Sequence, residues 1–202
     1  MCGPFFPTEK ISTKRKGGIY MVFVHLAEGF EETEAVTVMD VLRRAGIEAA
    51  FVSVPGGEKD MTVSGAHGVK IKADMDFADA DYEKCEMIVL PGGMTGTLNL
   101  NKHDGLCSRI REFARNDKWL CAICAAPMIL ASLSVLEDKK AVIYPGLEKK
   151  LKGARIYKTP VVKDGKVITG RSPGTAMLFS LEIVKALKGQ DIMEKVKAGL
   201  AM

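Results

Sequence analysis

Long apolar runs are missing from this chain: no stretch approaches the roughly 18 to 20 residues needed to span a bilayer, which excludes a helical membrane protein. Charge of one sign is scarce too. Over 202 residues the formal net charge is +4, and the lysines are scattered among acids instead of gathered in a block, so the electrostatic footprint of a nucleic-acid binder is absent. Nothing near the amino terminus resembles the apolar core of a secretory signal. The five cysteines, Cys2, Cys85, Cys107, Cys121 and Cys124, form an odd set without disulfide-framework spacing. The expected setting is cytoplasmic, with free thiols. Cys85, Cys107, His25, His67 and His103 show no zinc-ligand spacing, and neither a metal nor an organic cofactor is expected, nor a membrane or nucleic-acid partner.

What is present reads as one globular unit. Residues 1–18 (MCGPFFPTEKISTKRKGG) have no strand or helix period and are expected to form a loose extension, with Met21 offering an alternative start. Residues 19–202 are long enough for one sizeable core, and no linker divides them. IYMVFVHL from Ile19 to Leu26 is the near-continuous apolar run of a strand buried on both faces. EETEAVTVMDVLRRAG follows with Ala35, Val38, Met39, Val41 and Leu42 at helical spacing and Gly46 at the end. A second strand in IEAAFVSVPGG, a short excursion or hairpin in VSGAHGVKIKADMDFADAD and a third strand in CEMIVLPGG come next. Then come a helix in HDGLCSRIREFARND capped near Asp104, a fourth strand in KWLCAIC and a helix in AAPMILASLSVL. Short strands follow in AVIYPG and GARIYKTPVVKDGKVITGR, the latter with an Asp-Gly hairpin turn. GTAMLFSLEIVKALKG closes the chain as a long helix. Strands alternating with helices imply an α/β class, a doubly wound sandwich with a mostly parallel central sheet.

In such a sheet reactive groups gather beyond the carboxyl ends of the strands. Cys124 stands there, and Ala125 and Ala126 behind it suit a tight strand-to-helix turn, with Pro127 in the first helical turn. A thiol at that turn faces unpaired N–H groups and the positive helix end, and its pKa is expected to fall from ~8.5 toward roughly 5 to 7. The bland alternative is a buried structural cysteine. Cys121 lies inside the strand, so alternation is expected to point it to the opposite face from Cys124 and to prevent a disulfide. Glu31 and Glu32 are explained by negative charge at a helix start. Glu34 is not: it shares a face with Val38, and a carboxyl turned inward there is expected to have a raised pKa and to serve as a general acid and base. Gly92 and Gly93 let backbone N–H groups approach a substrate and supply an oxyanion hole.

Taken together, LAEGFEETEAVTVMDVLRRAGI, IVLPGG, AICAAP and ITGRSPGTAMLFSLEIVKAL resemble the ThiJ/PfpI superfamily, in its DJ-1 (Parkinsonism-associated deglycase) branch, over roughly residues 20–200. The resemblance implies a flavodoxin-like sandwich of the class I glutamine amidotransferase type, a homodimer, and a reactive Cys124 hydrogen-bonded to a protonated Glu34. It also implies an oxyanion hole at Gly93 and the Ala125 amide, and a pocket lined by Arg171, Ser172 and Pro173 near the dimer contact, with His67 reaching in from the partner subunit. Two departures matter. Ala125 stands where PfpI-type proteases carry histidine, so peptidase activity is not expected. Tyr144 stands before Pro145 where glyoxalase-type members carry histidine, and a phenol is a poor base at neutral pH. The expected function is cofactor-independent glyoxalase or deglycase chemistry on small reactive carbonyls. The alternative is a redox-responsive stress protein or chaperone-like sensor acting through oxidation of the same cysteine.

Overall fold

The computed structural model describes residues 21–54 and 60–202. The extension at 1–18, the first two residues of the expected first strand and the glycine turn after the second lie outside the described residues. Along the chain run β1 (Met21–Leu26), α1 (Glu32–Arg44), β2 (Glu48–Ser53), β3 (Thr62–Ser64), β4 (Lys70–Lys72), β5 (Met75–Asp76), β6 (Cys85–Leu90), α2 (Met94–Lys102) and α3 (Asp104–Arg115). They are followed by β7 (Trp119–Ile123), α4 (Pro127–Ser132), β8 (Lys140–Ala141), β9 (Arg155–Ile156), β10 (Val161–Asp164), β11 (Val167–Gly170), α5 (Ala176–Lys188) and α6 (Gln190–Gly199). A seven-stranded sheet in the order β10-β11-β7-β6-β1-β2-β5 forms the centre. Its pairings are parallel except for the β10–β11 hairpin. The fold is the α/β, mostly parallel sandwich that the alternation of elements implied. No helix among the described residues is long and apolar enough to cross a membrane.

Strand alternation divides the core between two faces. Val22, Val24 and Leu26 of β1 join Met87, Val89, Cys121, Ile123 and Ile168 beneath α1, α5 and α6, while Phe23, Ile88, Leu90, Leu120 and Ala122 pack on the other face against α3 and α4. Because β1 has β6 on one side and β2 on the other, the strand order reverses beside it. Crevices in open sheets of this kind form at such a reversal, beyond the carboxyl ends of the strands. The turns after β1, β6 and β7 therefore converge.

Several boundaries differ from expectation, each for a physical reason. One helix carries no clear sequence signal, and another is not expected apart from its neighbour. In α2, Gly96 and polar residues give little amphipathic pattern; the helix is set by contact, since a Cβ on Gly96 would lie 2.7 Å from the Phe30 backbone. The chain does not close with α5: Gly189, at φ +87, ends that helix and leads directly into α6. The helix after β7 stops at Ser132, where Ser134 turns left-handed at φ +57. The helix α3 begins at Asp104 with its cap near there as expected, at His103, whose Nδ1 accepts from the Leu106 N–H at 3.0 Å. The β3–β4 hairpin and the β10–β11 hairpin, with Gly165 at φ +59, lie where expected.

Phe179 of α5 is fully buried and touches the segment that supports the β7 turn, since a Cβ on Gly170 would come within 2.9 Å of its ring. Phe179→Ala is expected to cost about 3 to 5 kcal/mol. Leu178→Ala, at a position 44% exposed, is expected to stay within about 0.5 kcal/mol of wild type. Urea denaturation of both variants checks the pair.

Candidate active site

Cys124 sits just past β7 with φ +62, a left-handed conformation that costs a non-glycine residue energy and persists only where its surroundings hold it. Three backbone bonds do so. Its N–H donates to Gly170 O at 3.0 Å, its carbonyl accepts from the Tyr144 N–H at 2.9 Å, and the Ala126 N–H closes the turn on Ile123 O at 3.0 Å. The turn lifts Cys124 off the strand alternation, so the expectation that Cys121 and Cys124 face opposite ways is corrected: both pack in the cluster on the α1 face. Both are free thiols, as are Cys85 and Cys107.

Glu34 meets the sulfur from the first turn of α1. Glu31 caps that helix, its Oε2 accepting from the Glu34 N–H at 2.7 Å, which fixes the Glu34 backbone. The Glu34 side chain points inward and is fully buried. Its Oε2 accepts from the Gly92 N–H at 2.6 Å, and the carboxyl and the Cys124 thiol lie together over Gly92, close enough to act on each other's ionisation. Among the described residues Oε1 has no hydrogen-bond partner. Gly92 has to lack a side chain, because a Cβ there would lie 2.6 Å from the Cys124 Cβ and 2.7 Å from Glu34 Oε2. Gly93, at φ +80, brings its N–H toward the sulfur, and the Ala125 N–H does the same from the other side.

Burial first, and then the neighbouring Glu31 charge, push Glu34 up to about 8, against the pull of the Gly92 N–H. The expectation that the turn's N–H groups and the helix end bring the thiol below its ordinary value is corrected. Burial, then the charge of an ionised Glu34 and its hydrogen bond, push Cys124 up to about 12, opposed by the Gly93 and Ala125 N–H groups. The two groups are coupled. With Glu34 raised to about 8 its carboxylate is a minority form at pH 7, so the repulsion is largely removed there and the carboxyl O–H becomes a donor to sulfur. Protonation of Glu34 therefore relieves part of the thiol's upward shift and leaves burial, its largest cause, in place.

The remaining expected residues make their contacts elsewhere, Tyr144 through its backbone excepted. Tyr144 contributes its backbone to the turn and leaves its side chain 44% exposed. Arg171 follows Gly170, but its guanidinium donates to Lys158 O at 2.6 Å and its N–H to Pro160 O, so it fastens the 158–160 segment. Ser172 caps the short turn Pro173–Thr175. His67 is bound within its own chain, with Nδ1 2.8 Å from Glu32 Oε2. Glu32 was read as helix-end charge alone. It also clamps the 65–69 turn, a role hidden from local spacing because its partner lies 35 positions away. Ligand-capable atoms of Glu31, Glu32 and His67 lie within 4.8 Å of one another, with both Glu32 oxygens already accepting hydrogen bonds.

The pattern for the DJ-1/PfpI family matches residues 21–186. The chain belongs to the DJ-1/PfpI family. It is 37% identical over 180 residues to protein dj-1beta of Drosophila melanogaster, covering 88% of this chain and 94% of that one. It is 34% identical over 183 residues to the Parkinson disease protein 7 homolog of Danio rerio, covering 89% and 95%. The solved structure of oxidized Toxoplasma gondii DJ-1 superposes with a TM-score of 0.84 at 30% identity, covering 90% of this chain and 98% of that one. The DJ-1/PfpI assignment agrees with the ordered motifs that carried the resemblance.

Glu34 gives a stability test with a definite sign. Its folded pKa of about 8 lies above its ordinary 4.5, so the folded state holds a proton that the unfolded state releases between those values. Stability is expected to fall by a few kcal/mol as pH rises from 4.5 to 8. Glu34→Gln is expected to lack this slope. His25, lowered to about 3 chiefly by burial, acts oppositely on the acid side in both proteins and cancels in the difference. Chemical denaturation across pH 4.5–8.5 checks it, and parallel curves for the two proteins contradict the raised Glu34.

Proposed function

We propose that the protein is a cofactor-independent enzyme acting on small reactive carbonyls, with Cys124 as nucleophile and Glu34 as proton shuttle. The observation that carries the reading is a fully buried carboxyl, raised to about 8, beside a thiol at a strained turn. An acid whose pKa lies near the operating pH is suited both to give and to take a proton.

With methylglyoxal as substrate, the Cys124 thiolate adds to the aldehyde carbon, forming a C–S bond and an alkoxide. The N–H groups of Gly93 and Ala125 stabilise that oxygen, and Glu34 supplies its proton. The Glu34 carboxylate then removes the proton from the same carbon to give an enediol and returns it to the neighbouring carbon, leaving a thioester and an alcohol. Water hydrolyses the thioester, releasing lactate and restoring the thiol. The sum is methylglyoxal plus water to lactic acid, without an oxidant. Tyr144 places no imidazole beside the sulfur, so Glu34 carries both proton transfers, and slow turnover is expected. A homodimer and a cytoplasmic setting belong to the same reading: the first rests on the family resemblance, the second on free thiols, which fit a reducing compartment.

A second reading is favoured by the same N–H groups. Oxidation of Cys124 by a peroxide yields a sulfenic and then a sulfinic acid whose oxygens the Gly93 and Ala125 amides and Glu34 are placed to hold. The comparison with an oxidized Toxoplasma gondii DJ-1 supports it.

Lactate formation from methylglyoxal by purified protein tests the first reading. Cys124→Ser is expected to fall to background, and Glu34→Gln to lose roughly 100-fold or more; undiminished turnover in Cys124→Ser contradicts the mechanism. For the second, mass spectrometry after mild peroxide is expected to find two oxygens on Cys124 before any on Cys85, Cys107 or Cys121. Indiscriminate oxidation of the four counts against it.

A further inference from the structure

Glu32 stands two residues from Glu34 and is 8% exposed, yet it faces away from the sulfur. Its carboxylate gathers donors from a turn 35 positions along the chain: the His67 N–H at 2.6 Å, the His67 ring Nδ1 at 2.8 Å and, more weakly, the Val69 N–H at 3.4 Å. Gly65 clears the space, since a Cβ there would fall on the Glu32 side chain. The backbone adds to the clasp. Gly29 N–H donates to Ser64 O and Ala66 N–H to Phe30 O, each at 2.8 Å, and Phe30 bridges Gly65 as a one-residue parallel pair.

The other side of the 29–31 segment bears on the site. Glu31 N–H donates to Gly92 O at 3.0 Å and Gly96 N–H to Gly29 O at 3.0 Å. Gly93 is packed so closely that a Cβ would strike Gly29 O and lie 2.8 Å from Glu31 N. Four layers thus stack in order: the 65–69 turn, the 29–31 segment, the Gly92–Gly93 turn, and Cys124. Glu34 ties the last two together.

We propose that Glu32 is a positioning residue, which by holding the 65–69 turn through His67 clamps the 29–31 segment against Gly92–Gly93 and so keeps the Glu34–Gly92–Cys124 contacts in register. Within the single chain His67 is the outer half of this latch, with its side chain 72% accessible. The charges acting on it are Glu32 and Glu31 of the α1 turn, which favour its protonated form; Lys70 is the next charged residue along its own hairpin. Loss of the imidazolium charge as pH rises weakens the latch without removing the backbone bonds. The inference rests on the site geometry and not on carbonyl turnover, so a failed lactate assay leaves it standing.

Amide hydrogen exchange on the full chain tests it, because the Gly92 N–H that Glu34 accepts is itself the reporter. In Glu32→Gln and in His67→Ala, exchange at Gly92 and Glu31 is expected to accelerate about tenfold or more, while Ile88 and Leu120 in the central strands keep their protection. A generally destabilised protein would lose protection at all four. His67→Arg, which keeps a cation and N–H donors, is expected to restore Gly92 protection and to remove its decline above the ionisation range of His67, followed by the imidazole signals of wild type. If Glu32→Gln does not fold, His67→Ala and His67→Arg decide alone. Faster exchange confined to residues 65–69, with Gly92 unchanged, overturns the proposal, as does equal loss at Ile88 and Leu120.

Discussion

The constraint on which the candidate site depends is that the Glu34 carboxyl and the Cys124 thiol share one buried place. Removing a carboxyl from water raises its proton affinity, and removing a thiol from water does the same. Two such groups in contact cannot both ionise without strong repulsion, so the ionisation of each depends on the other. The Gly92 N–H anchors one oxygen of the acid and leaves the other without a further partner. An acid with both oxygens anchored, such as Glu32, is held in its charged form and does structural duty instead.

The fold supplies this arrangement by convergence. Three strands of the parallel sheet end at one level, and each hands over a different component: an acid at the start of a helix, a pair of glycines, and a thiol on a bend. Close approach is the common requirement. Gly92 has no room for a methyl group, and Gly93 packs on backbone atoms of the turn after β1. Small displacements of any one turn are therefore transmitted to the others through backbone contact, without flexible side chains to absorb them.

Much of this was legible in the residues themselves. The buried strands announced themselves as apolar runs, and Glu34 stood out because a carboxyl on the apolar face of a helix has no bland explanation. Cys124 and the two glycines fell at strand ends, where local punctuation is informative. Other features were not legible because their causes are not local. The α2 helix exists through packing of Gly96 on Phe30, which no propensity of its own residues signals. The partnership of Glu32 with His67 joins segments related only by the fold. The direction of the thiol's shift depended on how deeply it was buried and on the charge of its neighbour, neither of which a helix-end argument contains.

The left-handed bend at Cys124 has a further consequence through the bond from its N–H to Gly170 O. Gly170 closes β11, and beyond β11 only the antiparallel β10 remains before the sheet's margin. The posture of the sulfur is thus underwritten by one of the more peripheral parts of the sheet, while the acid opposite it is rooted in the central strand's own helix. Fraying of that margin would let the bend relax to an ordinary backbone and carry the thiol out of reach of its acid, silencing the site while the interior was still folded.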